Sequence, residues 1–151
     1  MTAKHALPEL RKTKGRLVLV GSGGSMIASP NFCAYTSTKY AVRAIGQTLS
    51  MELYKSGVTC TNIYPGYMST EFAQIDNDGK VSPEKQKWDN SFTWTAEKSA
   101  QACISPIYKR KREYVISASV KTFAWLGRHF PGVVHYIFTR FSIPGIEKPG
   151  N

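Results

Sequence analysis

Tyr35 and Lys39 stand four residues apart in the stretch Tyr35-Thr36-Ser37-Thr38-Lys39. On an α-helix two such side chains share a face, so a phenol and an ammonium group can address one ligand. The neighbouring positive charge favours the phenolate and lowers the phenol's pKa. A tyrosine tuned in this way serves as a general acid or base near neutral pH. The pair alone decides little, because the chain holds eight tyrosines among many lysines. A solvated Tyr and Lys on a helix surface would give the same pattern. Ser22 supplies a third group, a hydroxyl placed just after a short apolar run and a short loop upstream of Tyr35.

Whether these groups can meet depends on the elements that carry them. Residues 2 to 12 read as the tail of a helix interrupted by Pro8, with Thr13-Lys14-Gly15 as a turn. Arg16 to Gly21 is nearly continuous in apolar residues and rich in valine, which predicts a strand buried on both faces of a parallel sheet. A Gly/Ser loop follows, Gly21 to Ser25. From about Ala34 to Lys55, Val42, Ile45, Leu49 and Leu53 recur at steps of three and four, one face of a helix. Gly57 ends it in the usual position. Val58 to Tyr64 reads as a strand by its β-branched content, and Pro65-Gly66 closes it. Residues 71 to 94 are polar and irregular, with a turn at Asp76-Asn77-Asp78-Gly79. Thr95 is the expected N-cap of a helix reaching about Tyr108, and Glu113 to Ser117 reads as a third strand. Strands alternating with helices predict an α/β fold with a parallel sheet.

In an open α/β sheet, ligands bind beyond the carboxyl ends of the strands. Ser22 follows the first strand and Pro65 to Thr70 follow the second, so both converge with Tyr35 on one crevice. Gly21-Ser22-Gly23-Gly24-Ser25 is not a phosphate loop. Met26 occupies the place of the third glycine of G-x-G-x-x-G, and no Walker lysine follows.

The succession G-R-L-V-L-V-G-S, Y-T-S-T-K-Y-A-V and Y-P-G-Y-M-S-T resembles the short-chain dehydrogenases/reductases over roughly residues 6 to 117. The resemblance implies the C-terminal part of a Rossmann-like doubly wound parallel sheet. It implies an oxidoreductase that interconverts a carbonyl and an alcohol by hydride transfer, with NADP or NAD as cofactor and the preference not readable. Tyr35 would exchange a proton with the substrate oxygen. Lys39 would bond the nicotinamide ribose and lower the Tyr35 pKa, and Ser22 would stabilise developing charge on the substrate oxygen. Pro65, Gly66, Met68 and Thr70, together with Tyr35 and Lys39, would hold the cofactor. Trp88, Phe92 and Trp94 in the variable loop fit an apolar, lipid-like or steroid-like substrate, or pack on their own domain. The family's glycine-rich fingerprint, its NAD/NADP-selecting residue and the asparagine behind its lysine precede anything present here. At about 30 residues per βαβ unit, on the order of a hundred residues are expected upstream. The expectation is therefore a truncated chain, with an apolar strand edge that folds poorly or aggregates and holds dinucleotide weakly. The family often pairs through the helix holding Tyr35, so a homo-oligomer is open.

Composition sets outer limits. Apolar residues make up 42% and charged residues 20%, with 20 Lys and Arg against 10 Asp and Glu. The proportions are those of a globular domain. Such a basic balance suits an anionic surface, a nucleic acid or a phosphate-bearing molecule, or is simply solvated surface. No recognition motif supports nucleic acid. Cys33, Cys60 and Cys103 form no C-x-x-C and no metal-ligand spacing, so no metal site is expected. They read as reduced thiols in a cytoplasmic compartment. Residues 1 to 10 lack the apolar region of a secretory signal.

Residues 1 to 117 thus form the partial catalytic domain, and 118 to 151 a basic, aromatic tail. Within the tail Val134, Ile137, Phe138 and Phe141 fall on one helix face, and Lys121, Arg128 and Arg140 flank it. Such a stretch can lie in a membrane interface, or pack on its own domain beside the substrate. The alternative to an enzyme is a non-catalytic fragment that acts as a membrane-surface or interaction module.

Overall fold

A computed structural model describes residues 2–70, 74–75, 79–81 and 93–141 of the chain. The expected turn at Asp76 to Asp78, the loop aromatics Trp88 and Phe92, and the tail beyond Phe141 lie outside the described residues. Three parallel strands, β1 (Arg16–Val20), β2 (Thr59–Tyr64) and β3 (Glu113–Val115), form one sheet in that order. Arg16 pairs with Thr59 and Val20 with Ile63, while β3 joins at the level of Asn62. The connecting helices are α1 (Thr2–Thr13), α2 (Cys33–Glu52) and α3 (Ala96–Tyr108), and the chain continues into α4 (Ala118–His129) and α5 (Pro131–Arg140).

β2 is the centre of the core because it has a neighbour on both sides. Cys60 to Tyr64 are all buried, and Leu53, Val58 and Cys60 gather Leu7, Leu10, Leu17, Leu19 and Leu49 around them. β1 pairs on one side only. It is therefore half-buried rather than buried on both faces, with Val20 57% exposed.

Two helices depart in detail from the sequence pattern. α1 runs unbroken through Pro8; the proline removes one hydrogen bond from the ladder without ending the helix. In α2, Ile45 is 53% exposed, while Leu53 is buried and Leu49 meets the core. The inward face is centred on Gly46, which is buried against the Asn62 side chain. Gly46 carries no hydrophobicity, so apolar periodicity alone misplaces the face by one residue. Thr95 caps α3 as expected, its hydroxyl accepting from the Lys98 amide at 3.2 Å.

The turns that lead into the three strands are tied together by one side chain. Arg110 donates from Nη1 to the Gly57 carbonyl (2.8 Å) and from Nη2 to the Lys14 carbonyl (2.9 Å). Lys14, Gly57 and Arg110 each have positive φ, at 50°, 81° and 53°. The basic run before β3 therefore includes at least one residue with a structural task.

Candidate active site

The opposite end of the sheet, beyond the carboxyl ends of the strands, carries the expected groups. β1 ends in Gly21, and Ser22 then caps a 3-10 turn over Gly23–Ser25. The Ser22 hydroxyl accepts from the Gly24 amide at 3.2 Å, and the Ser22 amide donates to Ser25 Oγ at 3.1 Å. This reciprocal cap fixes the serine. It also uses the hydroxyl oxygen as an acceptor, so the Ser22 proton has no acceptor among the described residues. That proton is free to donate to a ligand.

Tyr35 sits in the first turn of α2, half-buried, with Phe32 edge-on at 6.2 Å between ring centroids. Lys39, one turn on, holds its ammonium 5.6 Å from the centre of the Tyr35 ring. Gly24 is where tyrosine and serine converge. A Cβ at Gly24 would lie 3.2 Å from Tyr35 Cε1 and 3.8 Å from Ser22 Oγ. Any side chain there would enter the space the two groups share.

The loop after β2 joins the same place. The Pro65 carbonyl accepts from the Gly23 amide at 2.8 Å, which fastens the β2 loop to the serine loop. A Cβ at Gly66 would come within 2.8 Å of Ser117 Oγ, and Val120 of α4 packs against both Gly23 and Gly66. Met68 bridges to Trp94, with the Ser69 amide donating to the Trp94 carbonyl at 2.9 Å and the Thr70 amide to the Met68 carbonyl at 3.0 Å. Lys98 stacks its ammonium 4.4 Å above the Trp94 ring. Ser22 and Tyr35 thus meet at Gly24, Lys39 lies over the Tyr35 ring, and the Pro65 carbonyl is tied to Gly23 beside Ser22. Gly66, Met68 and Thr70 follow along a loop packed on Ser117 and Val120 and held by Trp94.

Tyr67 belongs to this group although the motif reading assigns it no role. Burial raises its phenol pKa, and the nearby Tyr35 phenol raises it further. Val120 is the other residue that the motifs leave out. It lies on α4, and its part in the site is visible only once the tail folds back over the loops. Among the described residues no cluster of His, Cys, Asp or Glu could hold a metal ion.

Comparison with known proteins fits this geometry. Residues 1–80 match the family model for short chain dehydrogenase. The chain belongs to the short-chain dehydrogenase family. It is 33% identical over 107 residues to an 11-beta-hydroxysteroid dehydrogenase-like protein of Arabidopsis thaliana, covering 69% of this chain and 31% of that protein. It is 47% identical over 67 residues to estradiol 17-beta-dehydrogenase 2 of Rattus norvegicus, covering 44% of this chain and 18% of that protein. A short chain dehydrogenase from Burkholderia cenocepacia, solved in complex with NADP, superposes on 87% of this chain and 50% of its own, with TM-score 0.68 and 18% identity. A short-chain dehydrogenase from Sphingobium yanoikuyae, solved with NADPH, covers 93% of this chain and 53% of its own at TM-score 0.61 and 18% identity. These superpositions establish the α/β fold. The chain spans about half of each solved structure.

Proposed function

We propose that this chain carries the proton-transfer half of a nicotinamide-dependent oxidoreductase acting on an apolar carbonyl or alcohol. The observation that carries the reading is the convergence on Gly24: Tyr35 and Ser22 border one space, with Lys39 beside the tyrosine.

In the reducing direction Ser22 donates its unused proton in a hydrogen bond to the substrate oxygen and so steadies the negative charge that develops there. Tyr35 gives its phenolic proton to that oxygen. Lys39 stands beside the Tyr35 ring; its ammonium has no hydrogen-bond acceptor among the described residues and would bond the nicotinamide ribose. Pro65, Gly66, Met68 and Thr70 form the wall against which the nicotinamide and its carboxamide would rest. The cofactor, NADP or NAD, supplies or removes the hydride. The donor set fits this role: one free hydroxyl proton, one phenol and one cation around a space that glycine keeps open. An apolar, steroid-like or lipid-like substrate is supported by Trp94, Tyr67 and Val120 around the loops, and by the steroid named in each of the two relatives.

The test is turnover by the full chain with NADPH or NADH and a panel of ketosteroids and long-chain ketones, followed by nicotinamide absorbance. Tyr35→Phe removes the proton donor and is expected to lower kcat by about 10²- to 10⁴-fold. Tyr35→Phe turnover equal to wild type would sink the assignment.

A second reading rests on the tail surface. No Asp or Glu occurs between Glu113 and Glu147, and α4 and α5 leave Trp125, Phe130, Tyr136 and Phe141 half or more exposed. Aromatic and basic groups without acids suit the interface of an anionic bilayer. No helix among the described residues is long and apolar enough to cross a membrane, so the contact would be peripheral. Co-sedimentation with phosphatidylserine vesicles that falls as salt rises is the expected result; sedimentation equal on neutral vesicles and unmoved by salt would count against it.

A further inference from the structure

Beneath Ser22 lies a polar cluster that the roles above do not use. α2 presents Arg43 and Gln47 one and two turns beyond Lys39, and Glu113 at the start of β3 meets them. One Glu113 oxygen, Oε1, accepts from three donors: the Tyr64 hydroxyl at 2.5 Å, Gln47 Nε2 at 3.0 Å and Arg43 Nε at 3.3 Å. Arg43 directs its other arm elsewhere. Its Nη1 donates to the main-chain carbonyl of Ser25 at 3.4 Å. Ser25 is fully buried, and its hydroxyl is the acceptor for the Ser22 amide. Tyr64, also fully buried, lies under the Arg43 guanidinium at 5.9 Å. Its ring backs Gly21, where a Cβ would meet Tyr64 Cδ1 at 2.8 Å. Glu113 therefore reaches both flanks of Ser22, through Arg43 to Ser25 and through Tyr64 to Gly21.

We propose that Arg43 and Glu113 are positioning residues for Ser22, holding the serine loop in register with the Tyr35–Lys39 face of α2. The fork of arginine is what makes this work: donors on separate nitrogens of one planar group span a carboxylate and a carbonyl in a fixed geometry, which the single nitrogen of a lysine ammonium does not reproduce. The side chains of the Arg43–Glu113 ion pair remain 25% and 34% exposed. A pair so open to water adds little stability itself. Its effect is geometric. Arg43 sits on the helix that carries Tyr35 and Lys39, so a shift of α2 is passed to the serine loop. The catalytic consequence rests on the function proposed above; the geometric part does not.

The two parts are tested separately on the full chain. Amide hydrogen exchange is read at Ser22, Ser25 and Met26, whose amides hold the 3-10 turn together. Leu53 at the end of α2 and Ser99 in α3 serve as references. Arg43→Lys is expected to speed exchange in the turn about tenfold, the loss of one hydrogen bond to a charged group, while the references stay within about twofold. Glu113→Gln, which keeps its acceptor and loses its charge, gives a smaller change of the same kind. In turnover, Arg43→Lys lowers kcat about tenfold and leaves KM for the dinucleotide within about twofold, because the loss falls on transition-state geometry. Unchanged exchange in the turn overturns the proposal. So does exchange that rises equally at the references, which marks a merely structural residue, and so does a faster turn with unchanged kcat. If Arg43→Lys speeds exchange in the turn alone while the wild-type chain shows no turnover, the positioning stands and the proposed function fails.

Discussion

Replacing Gly46 by alanine sets two opposed effects against each other at one buried position. Gly46 lies mid-helix in α2, where alanine would gain about 1 kcal/mol in helix propensity. The structure predicts the opposite sign. A Cβ at Gly46 would collide with Oδ1 and Nδ2 of Asn62 and stand 2.5 Å from its Cγ. Asn62 is 1% exposed on the central strand and cannot swing into solvent. Its amide donates to the Arg43 carbonyl at 3.2 Å, so moving the side chain also breaks a buried hydrogen bond. Overpacking costs about 1–3 kcal/mol and the broken bond a similar amount, so after the propensity gain the net loss is roughly 3 kcal/mol. For a chain of this size that lowers Tm by roughly 6–12 °C. Thermal and urea unfolding of the full chain followed by circular dichroism gives the comparison. Gly132→Ala in α5, where nothing lies within 4 Å of the added carbon, is the control and should be neutral or stabilising by up to ~1 kcal/mol. Adding Asn62→Ala to Gly46→Ala removes the obstacle, so the double variant should be more stable than the two single losses predict. A Gly46→Ala chain as stable as wild type would falsify the packing argument, because propensity would then have outweighed the contact.

Three further outcomes follow from the same geometry. Ser22→Ala removes the donor to the substrate oxygen and should lower kcat by about 10²-fold or more; steady-state kinetics that show only a raised KM would assign Ser22 to binding alone. Arg110→Ala frees the Gly57 and Lys14 carbonyls and should cost about 1–2 kcal/mol at this exposed site, read as a lower urea midpoint; an unchanged midpoint means that water replaces both bonds without loss. The third concerns pH. Burial pushes the Glu113 carboxyl up, but the Tyr64 hydroxyl, the Arg43 charge and the Gln47 amide outweigh it and hold the carboxyl below its ordinary 4.5. A carboxyl lowered by folding stabilises the native state in full above its unfolded pKa, and that contribution is lost as pH falls through the folded value. Glu113→Gln should therefore flatten the acid side of the stability curve below about pH 4.5; equal acid slopes in the two proteins would show that the carboxylate contributes nothing there.

Most of what places the candidate site was legible in the sequence, for definable reasons. The valine-rich run from Arg16, the β-branched run to Tyr64 and the helix between them are local patterns, and local patterns fix which residues stand at the carboxyl ends of the strands. Local patterns place Ser22 after its strand and Tyr35 and Lys39 on one helix face; their roles came from the three motifs taken together in order. Pairing and interior contact were not legible. The Arg16 to Val20 run reads as doubly buried because its composition is apolar, yet burial depends on a neighbour that composition does not specify. Periodicity misplaces the inward face of α2 at Ile45 because its central residue is Gly46, chosen by the shape of Asn62 and not by hydrophobicity. Arg43, Glu113 and Tyr64 come from separate elements, so no spacing announces them. Tyr67 was within reach, standing between Gly66 and Met68 in a loop already assigned to the crevice.

The basic balance of the chain changes its meaning once the fold is known. Composition offers a net charge of +10 as an invitation to a polyanion. α1, α2 and α3 all end beside the turns that lead into the strands, and each C-terminus carries about half a negative charge. Arg11 and Lys12 lie in the last turn of α1, and the run from Lys109 begins where α3 stops. Arg110 goes further and binds two carbonyls of the neighbouring turns. Arg43 is spent beneath the candidate serine, and Lys39 stands beside the candidate acid. Part of the positive charge thus answers the polarity of the fold's own backbone, and part serves the reacting end of the sheet. The net charge is unchanged by these contacts, but fewer basic side chains remain unengaged to meet an outside partner, and the acid-free surface of α4 and α5 holds some of them.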